Sequence, residues 1–452
     1  MGRRSHTRTL GLWMNGAFVG TWSLGPHGPD TLQYDTTWVR SAQGRPLSLS
    51  LPFMPGNEAH RGPRVRDYFE NLLPDSRDIR ERIARRYQTG AIDAFTLLAE
   101  IGRDCVGALE ILPLGHASAE PGPLQATQLD EAQVARFLRE TTTASTLGLL
   151  AHDDDFRISI AGAQEKTALL HLDGRWHLPQ GGTPTTHIFK LPLGLIGGMK
   201  LDLRDSIENE WLCAQILEAF GLPVAPCTPM QFEDVKALVV ERFDRAWWTT
   251  PAGDQRLIRL PQEDMCQATG TPPGLKYEAD GGPGMERIMQ VLEGSIAREA
   301  DRRSFYRAQL VFWMLCATDG HAKNFSLFLR PGGRYQMAPL YDVLSAYPVL
   351  GTGAGNISPF KARMAMAVRS RNAHWKMREI LRRHWLAEGQ RHAILTEDGR
   401  QVDVLIDDMI AQTPAVVAAV RSRLPTDFPA LVADTILDGL QDAARRLQEQ
   451  GS

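Results

Sequence analysis

Ala317-Thr318-Asp319-Gly320-His321-Ala322-Lys323-Asn324 follows a helical pattern over Arg302–Cys316, in which Phe305, Ala308, Phe312 and Leu315 share one face. It leads into an alternating strand pattern at Phe325, Leu327 and Leu329. Pro331-Gly332-Gly333 then turns the chain into a second strand, Arg334–Leu340, closed by Tyr341-Asp342. Asp319, Asn324 and Asp342 are therefore expected at the mouth of one hairpin. As ordinary structure they are three polar residues at strand ends. Phosphoryl transfer gives them a joint use: one carboxylate takes the proton of an attacking hydroxyl, while a carboxamide oxygen and a second carboxylate offer hard ligands to Mg²⁺ on the ATP phosphates. The Asp-x₄-Asn interval, a hairpin and a following Asp also form the pattern of a kinase catalytic loop.

Upstream, Arg157–Ile160 and Lys166–Leu172 read as strands joined by Ala161-Gly162-Ala163-Gln164-Glu165-Lys166. The backbone N–H groups of such a loop can face phosphate oxygens. It is not a Walker A loop, because Glu165 stands where the glycine before the lysine is needed. Lys190 ends the apolar run Ile188-Phe189-Lys190, and a lysine on a buried strand calls for a partner. Glu210 shares a face with Cys213, Ala214 and Leu217 on the helix expected from Asp205 to Gly221, with Asp205 as N-cap. A Lys190–Glu210 ion pair steadying a phosphate contact is the kinase-like arrangement; a lysine snorkelling to solvent beside an exposed Glu210 is the ordinary one. Glu241-Arg242-Phe243 leaves the next strand, Val235–Arg242, where a hinge can offer backbone groups to an adenine edge.

Farther out, Asn15-Gly16 between Leu10–Met14 and Ala17–Trp22 predicts a hairpin, and Leu47–Leu51 another strand. Helical patterns lie within Asp67–Ile101, near Trp375–Arg383, over Val402–Arg423 and over Phe428–Gln448, where Leu431, Ile436, Leu440 and Leu447 form a stripe. The implied division is 1–112, a linker-like 113–128, a sheet region at 129–245 and a mainly helical 246–452. With 452 residues, two or three compact units are expected. A content of 43% hydrophobic and 23% charged residues excludes a disordered or collagen-like chain. A net charge of −3 gives no global reason to bind nucleic acid or an anionic membrane. Leu310–Thr318 is about half of the ~20 residues that span a bilayer, so no membrane role is expected. Five scattered cysteines without a C-x-x-C pair fit a reducing, cytoplasmic setting.

Five segments together resemble the HipA family, the serine/threonine-protein kinase toxins of HipBA toxin–antitoxin systems. They are Arg157–Thr167, Thr186–Pro192, Val240–Arg245, Arg259–Gln267 and Ala317–Ser326, and the likeness runs from near Leu12 to Pro429. It implies an α+β, two-lobed, protein-kinase-like fold with a β-rich N-terminal lobe and an all-helical C-terminal lobe. It implies Asp319 as catalytic base and Asn324 and Asp342 as Mg²⁺ ligands. Ala161, Gly162, Ala163, Gln164, Glu165 and Lys166 would hold ATP phosphates, with Lys190 as the ATP lysine. Glu241, Arg242 and Phe243 would form the adenine hinge, and His321, Ala322, Lys323, Asn324, Tyr341 and Asp342 would line the nucleotide pocket.

Ser159 matches the serine that such kinases autophosphorylate to shut themselves off. A phosphate of about −1.5 to −2 charge beside the ATP phosphates would repel them. The resemblance also implies a HipB-type helix-turn-helix antitoxin as partner, operator DNA contacted mainly through it, and an aminoacyl-tRNA synthetase as substrate, with glutamyl-tRNA synthetase foremost. The segment Asp319-x-His321-x-x-Asn324 is also similar to phosphatidylinositol-kinase-like catalytic loops, which leaves a small-molecule or lipid kinase as one alternative. A non-catalytic corepressor is another.

Overall fold

The computed structural model describes residues 7–118, 120–142, 159–161, 164–196 and 201–451. The chain divides into two compact units, each assembled from separated stretches. The first comprises Met1–Leu191, Met230–Gly274 and Leu327–Tyr335; the second comprises Pro192–Pro229, Leu275–Ser326 and Gln336–Ser452.

In the first unit Asn15 and Gly16 turn with φ of 46° and 83°, the positive values that a tight two-residue hairpin requires. They join Arg8–Met14 to Ala17–Leu24. With Asp30–Tyr34, His60–Arg61 and Leu109–Pro113 these strands build a five-stranded antiparallel sheet. Trp22 stacks on Phe69 at 3.8 Å and tilts against Phe95 at 4.7 Å, fastening the helices Pro63–Glu70 and Ala94–Ile101 to that sheet.

The strand expected over Leu47–Leu51 does not form. Side chains take its backbone groups instead. The Leu47 N–H donates to Tyr34 Oη at 2.9 Å, Tyr34 Oη donates to the Leu51 carbonyl at 2.6 Å, and the Leu49 N–H donates to Glu263 at 2.9 Å. Burial pushes the Glu263 carboxyl up to about 8, against the hydrogen bonds from Ser48 and Leu49.

A second sheet in this unit sets Val235–Glu241, His187–Lys190, Lys166–Leu172, Arg175–Pro179 and Ala126–Leu129 side by side in that order. Leu169, Leu178, Phe189 and Val239 form its core with Val134, Phe137 and Leu138 of the helix Glu131–Thr142. Between the ends of the sheets lies a buried ionic cluster. Asp104 accepts from Arg245 at 2.8 Å and Arg259 at 3.1 Å, with Arg242 at 3.3 Å. Asp244 grips Arg242 through two bonds of 2.9 and 2.8 Å. Such a cluster persists in a dry interior because each charge has a partner and its hydrogen bonds are met.

The second unit is mainly helical: Ser206–Ala219, Met285–Leu292, Arg298–Met314, Arg382–Arg391, Val402–Arg423 and Ala430–Glu449 are its long elements. Ile436, Leu440 and Leu447 are buried along the last, but Leu431 is 66% exposed and Val432 takes its inward place. One amendment concerns the all-helical expectation. The stretch read as helix near Trp375 begins as a strand, Ala373–Lys376, paired with Arg363–Arg369, and helix starts only at Arg382. Strand preference depends on the pairing partner, and here that partner is the preceding strand. Among the described residues no helix is long and apolar enough to cross a membrane.

Candidate active site

The catalytic-loop candidate begins where the helix Arg298–Met314 stops, all within the second unit. Cys316 takes a left-handed φ of 51°. Its N–H donates to the Trp313 carbonyl at 3.1 Å, and the Ala317 N–H to Phe312 at 2.8 Å. Together these bonds end the helix by satisfying its last carbonyls. Gly320 passes so close to the Phe312 ring that a Cβ there would lie 2.4 Å from it. The His321 N–H donates to the Asp319 carbonyl at 2.8 Å, and Ala322–Asn324 form one 3₁₀ turn. Phe325 then seats the loop against Phe305 at 4.9 Å and Phe312 at 5.7 Å. The expected hairpin follows, with Ser326–Leu329 and Tyr335–Met337 as its strands.

Asn324 lies where Asp319 and Asp342 meet. Its Nδ2 donates to the Asp319 carbonyl at 2.8 Å and the Asp342 carbonyl at 3.2 Å. Both amide hydrogens are thereby used, which orients the side chain and leaves Oδ1 as an acceptor outside those two bonds. Asp342 holds a φ of 61°, a conformation that costs most residues energy and that aspartate tolerates better than most. Tyr341 braces the loop from the hairpin side: its Oη donates to the Lys323 carbonyl at 2.7 Å and meets Ser326 Oγ at 2.5 Å. His321, Ala322, Lys323 and Asn324 are buried, whereas the Asp319 side chain is 55% exposed. Among the described residues no cluster of three or more His, Cys, Asp or Glu stands ready for a metal. The donor set fits Mg²⁺ nonetheless, since that ion takes one or two protein oxygens and fills the rest with phosphate and water.

Asn209, on the helix Ser206–Ala219, supports this group from behind. It donates to the Ser345 carbonyl and accepts from the Ser345 N–H, both at 2.8 Å, and Ser345 Oγ donates to the Leu315 carbonyl at 2.6 Å. The stretch after Asp342 is so tied to the helix end that launches the loop. Glu210, on the same helix, is buried. Asp205 precedes the helix without a capping side-chain bond, contrary to the sequence expectation.

The remaining sequence-derived residues belong to the first unit. Lys190 is buried on a central strand, opposite Leu238 on one side and Lys166 on the other. Glu165 pairs with Arg82, its carbonyl accepts from the Leu191 N–H at 3.2 Å, and Gln164 Nε2 donates to the Leu191 carbonyl at 2.5 Å. Gly162 and Ala163 lie outside the described residues, as do Arg157 and Ile158; Ser159 and Ile160 carry no strand. Ser159 is fully buried, its N–H donating to the Asp104 carbonyl at 3.1 Å and its Oγ to the Leu72 carbonyl at 2.7 Å.

At the expected hinge Glu241 is exposed. Arg242, by contrast, is consumed internally: its guanidinium serves Asp244 and Asp104, its N–H donates to Thr186 at 2.9 Å and its carbonyl accepts from Arg245. Its side chain and its backbone N–H are thus already engaged within the first unit. Sequence reasoning passed over Asn209, Ser345 and Tyr277, whose hydroxyl bonds the Asp319 carboxylate. A polar Asn209 beside apolar helix positions was the one available signal.

Comparison with known proteins speaks to the family and the fold. Residues 158–417 match the family described as the HipA-like C-terminal domain, and residues 10–112 match the HipA N-terminal domain. A putative kinase of Sinorhizobium fredii, Y4mE, is 37% identical over 351 residues, covering 76% of this chain and 79% of that protein. The serine/threonine-protein kinase toxin HipA of Shewanella oneidensis is 26% identical over 349 residues, covering 75% and 73%. Among solved structures, the Shewanella oneidensis HipA complex with HipB and operator DNA superposes with a TM-score of 0.74 at 22% identity, over 97% of each chain. At that identity the likeness speaks for the fold.

Proposed function

The chain belongs to the HipA family of kinase toxins, and from that premise we propose that it is an ATP- and Mg²⁺-dependent serine/threonine protein kinase that arrests growth until a HipB-type antitoxin restrains it. The observation that carries the reading is Asn324, whose amide joins the Asp319 and Asp342 backbones and so fixes the orientation of its carboxamide. Asp319 would accept the proton of a serine or threonine hydroxyl as its oxygen attacks the γ-phosphorus and the bond to the β-phosphate oxygen breaks, releasing ADP. Asn324 and Asp342 would hold Mg²⁺, which when bound neutralises charge on the phosphates. Lys190 would set its ammonium on the phosphates, and the backbone from Ala161 to Lys166 would cover them.

Ser159 is the proposed autophosphorylation site. Its buried hydroxyl, bonded to Leu72, has to be released before it can react. A dianionic phosphate has no place in that dry pocket, so modification would keep the segment out. The protein substrate is proposed to be an aminoacyl-tRNA synthetase, glutamyl-tRNA synthetase first. Because the net charge is −3, operator DNA is expected to be met mainly through the antitoxin; the Shewanella oneidensis structure is a complex of HipA, HipB and operator DNA. Action in the cytoplasm belongs to the same proposal, supported by five cysteines that form no disulfide.

Incubation of the full chain with γ-labelled ATP and Mg²⁺ tests the reading. Label is expected on Ser159, and Asp319→Asn is expected to abolish both labelling and toxicity. Absence of label from the chain with transfer to a lipid or small molecule would favour that alternative. Toxicity undiminished in the Asp319→Asn variant would mean a corepressor without chemistry.

A further inference from the structure

The Asp319 carboxylate is 55% exposed, so its rotation about χ2 needs a restraint if it is to act as a base of fixed direction. Among the described residues, the group that hydrogen-bonds this carboxylate is the hydroxyl of Tyr277, donating to Oδ1. His321 Nε2 stands 3.8 Å from the same oxygen, beyond hydrogen-bonding distance.

Tyr277 is itself held in place within the second unit. The Ala322 N–H donates to the Lys276 carbonyl at 3.2 Å, tying the segment to the catalytic loop. The Asp280 and Gly282 N–H groups donate to the Tyr277 carbonyl at 3.1 and 2.9 Å. Its ring meets His321 edge to face, 5.0 Å between centroids at 89°. The next residue, Glu278, accepts from the Ala367 N–H at 2.6 Å and pairs with Arg369. A phenol anchored by its backbone, its ring and its neighbour is a rigid donor.

We propose that Tyr277 is a positioning residue for phosphoryl transfer: its hydroxyl holds Oδ1 of Asp319 so that Oδ2 faces the incoming acceptor hydroxyl. The inference rests on the kinase reading above. A carboxylate has about four lone-pair sites, so Tyr277 and an acceptor can share Asp319 without displacing one another. Near-attack geometry is steeply sensitive to direction, and a misplacement on the order of 1 Å costs up to about 100-fold in rate. Tyr277→Phe removes the donor while keeping the ring that packs on His321.

The full chain and its Tyr277→Phe variant are to be compared by initial rates of self-labelling from γ-labelled ATP at varied ATP, with phosphoamino-acid analysis and a thermal melt. The variant is expected to lose about tenfold in maximal rate, with half-saturating ATP within about twofold of wild type. Its label stays on serine and its melting temperature is unchanged. An unchanged rate would overturn the inference and leave the kinase reading standing. A faster rate would also overturn it, since Tyr277 would then compete with the acceptor. Label on tyrosine in the wild type that the variant lacks would show that Tyr277 is itself an acceptor and would overturn the inference. A wild-type chain that takes no label would instead remove the kinase reading.

Discussion

At the scale of single residues, the candidate site depends on side chains whose hydrogen bonds are spent before any substrate arrives. Asn324 gives both amide hydrogens to backbone carbonyls, so its free valence points one way without reorganisation, which is what electrostatic preorganisation requires. Gly320 has a different necessity. Its Cα passes the buried Phe312 ring too closely for any Cβ, and Phe312 is itself packed against Phe325. Gly320→Ala is therefore expected to push the loop off its seat, costing about 1–3 kcal/mol of stability. The rate of self-labelling should fall by more than that loss explains. Denaturant unfolding beside the labelling rate measures both; an alanine variant of full activity would mean that the ring yields and the loop does not. Asp319, Asn324 and Asp342 were legible as a candidate set because phosphoryl transfer restricts residue type and spacing. Tyr277 was not, since nothing in Lys276-Tyr277-Glu278 reveals that it folds back over residues more than forty positions later.

At the scale of elements, the cluster around Asp104 fastens the approach to Leu109–Pro113, the end of Val235–Glu241 and the hairpin of Arg245–Thr249 with Gln255–Arg259. Burial pushes the Asp104 carboxyl up, but Arg245, Arg242 and Arg259 outweigh it and hold the group well below the usual carboxylate range. The same balance lowers Asp244, through Arg242 and Arg245. A carboxylate whose folded pKa is depressed adds stability that is present above its unfolded value, near 3.8, and is lost as pH falls through the folded value. Wild-type stability is thus expected to decline below about pH 4, more steeply than that of Asp104→Asn. At neutral pH that variant leaves buried guanidinium charge uncompensated and should lose about 3–5 kcal/mol. Urea unfolding across the pH range checks both; equal stability at pH 7 would show that the cluster is not what holds these elements. The Asn15-Gly16 hairpin was readable because turn chemistry is local. The irregular Leu47–Leu51 segment was not, because Tyr34 and Glu263 supply its hydrogen bonds from elsewhere.

At the scale of the whole molecule, neither unit is one continuous length of chain. The first needs Met230–Gly274 and Leu327–Tyr335 to complete what begins before Leu191. Residues 1–191 alone would leave His187–Lys190 without its partner Val235–Glu241 and Asp104 without its three arginines. That fragment is expected to lack a cooperative melt by circular dichroism, and a sharp transition like that of the full chain would contradict the expectation. Most strand and helix identities, the Asp-Asn-Asp candidates and the family came from local pattern, because propensity, turn geometry and motif spacing are written in neighbouring residues. Three matters were settled only by folding: which distant side chain meets a given carboxylate, which backbone groups are already spent, as in Arg242, and how separated stretches share one core. Those outcomes depend on contacts between positions far apart in the chain, and periodicity along a sequence carries no measure of distance across space.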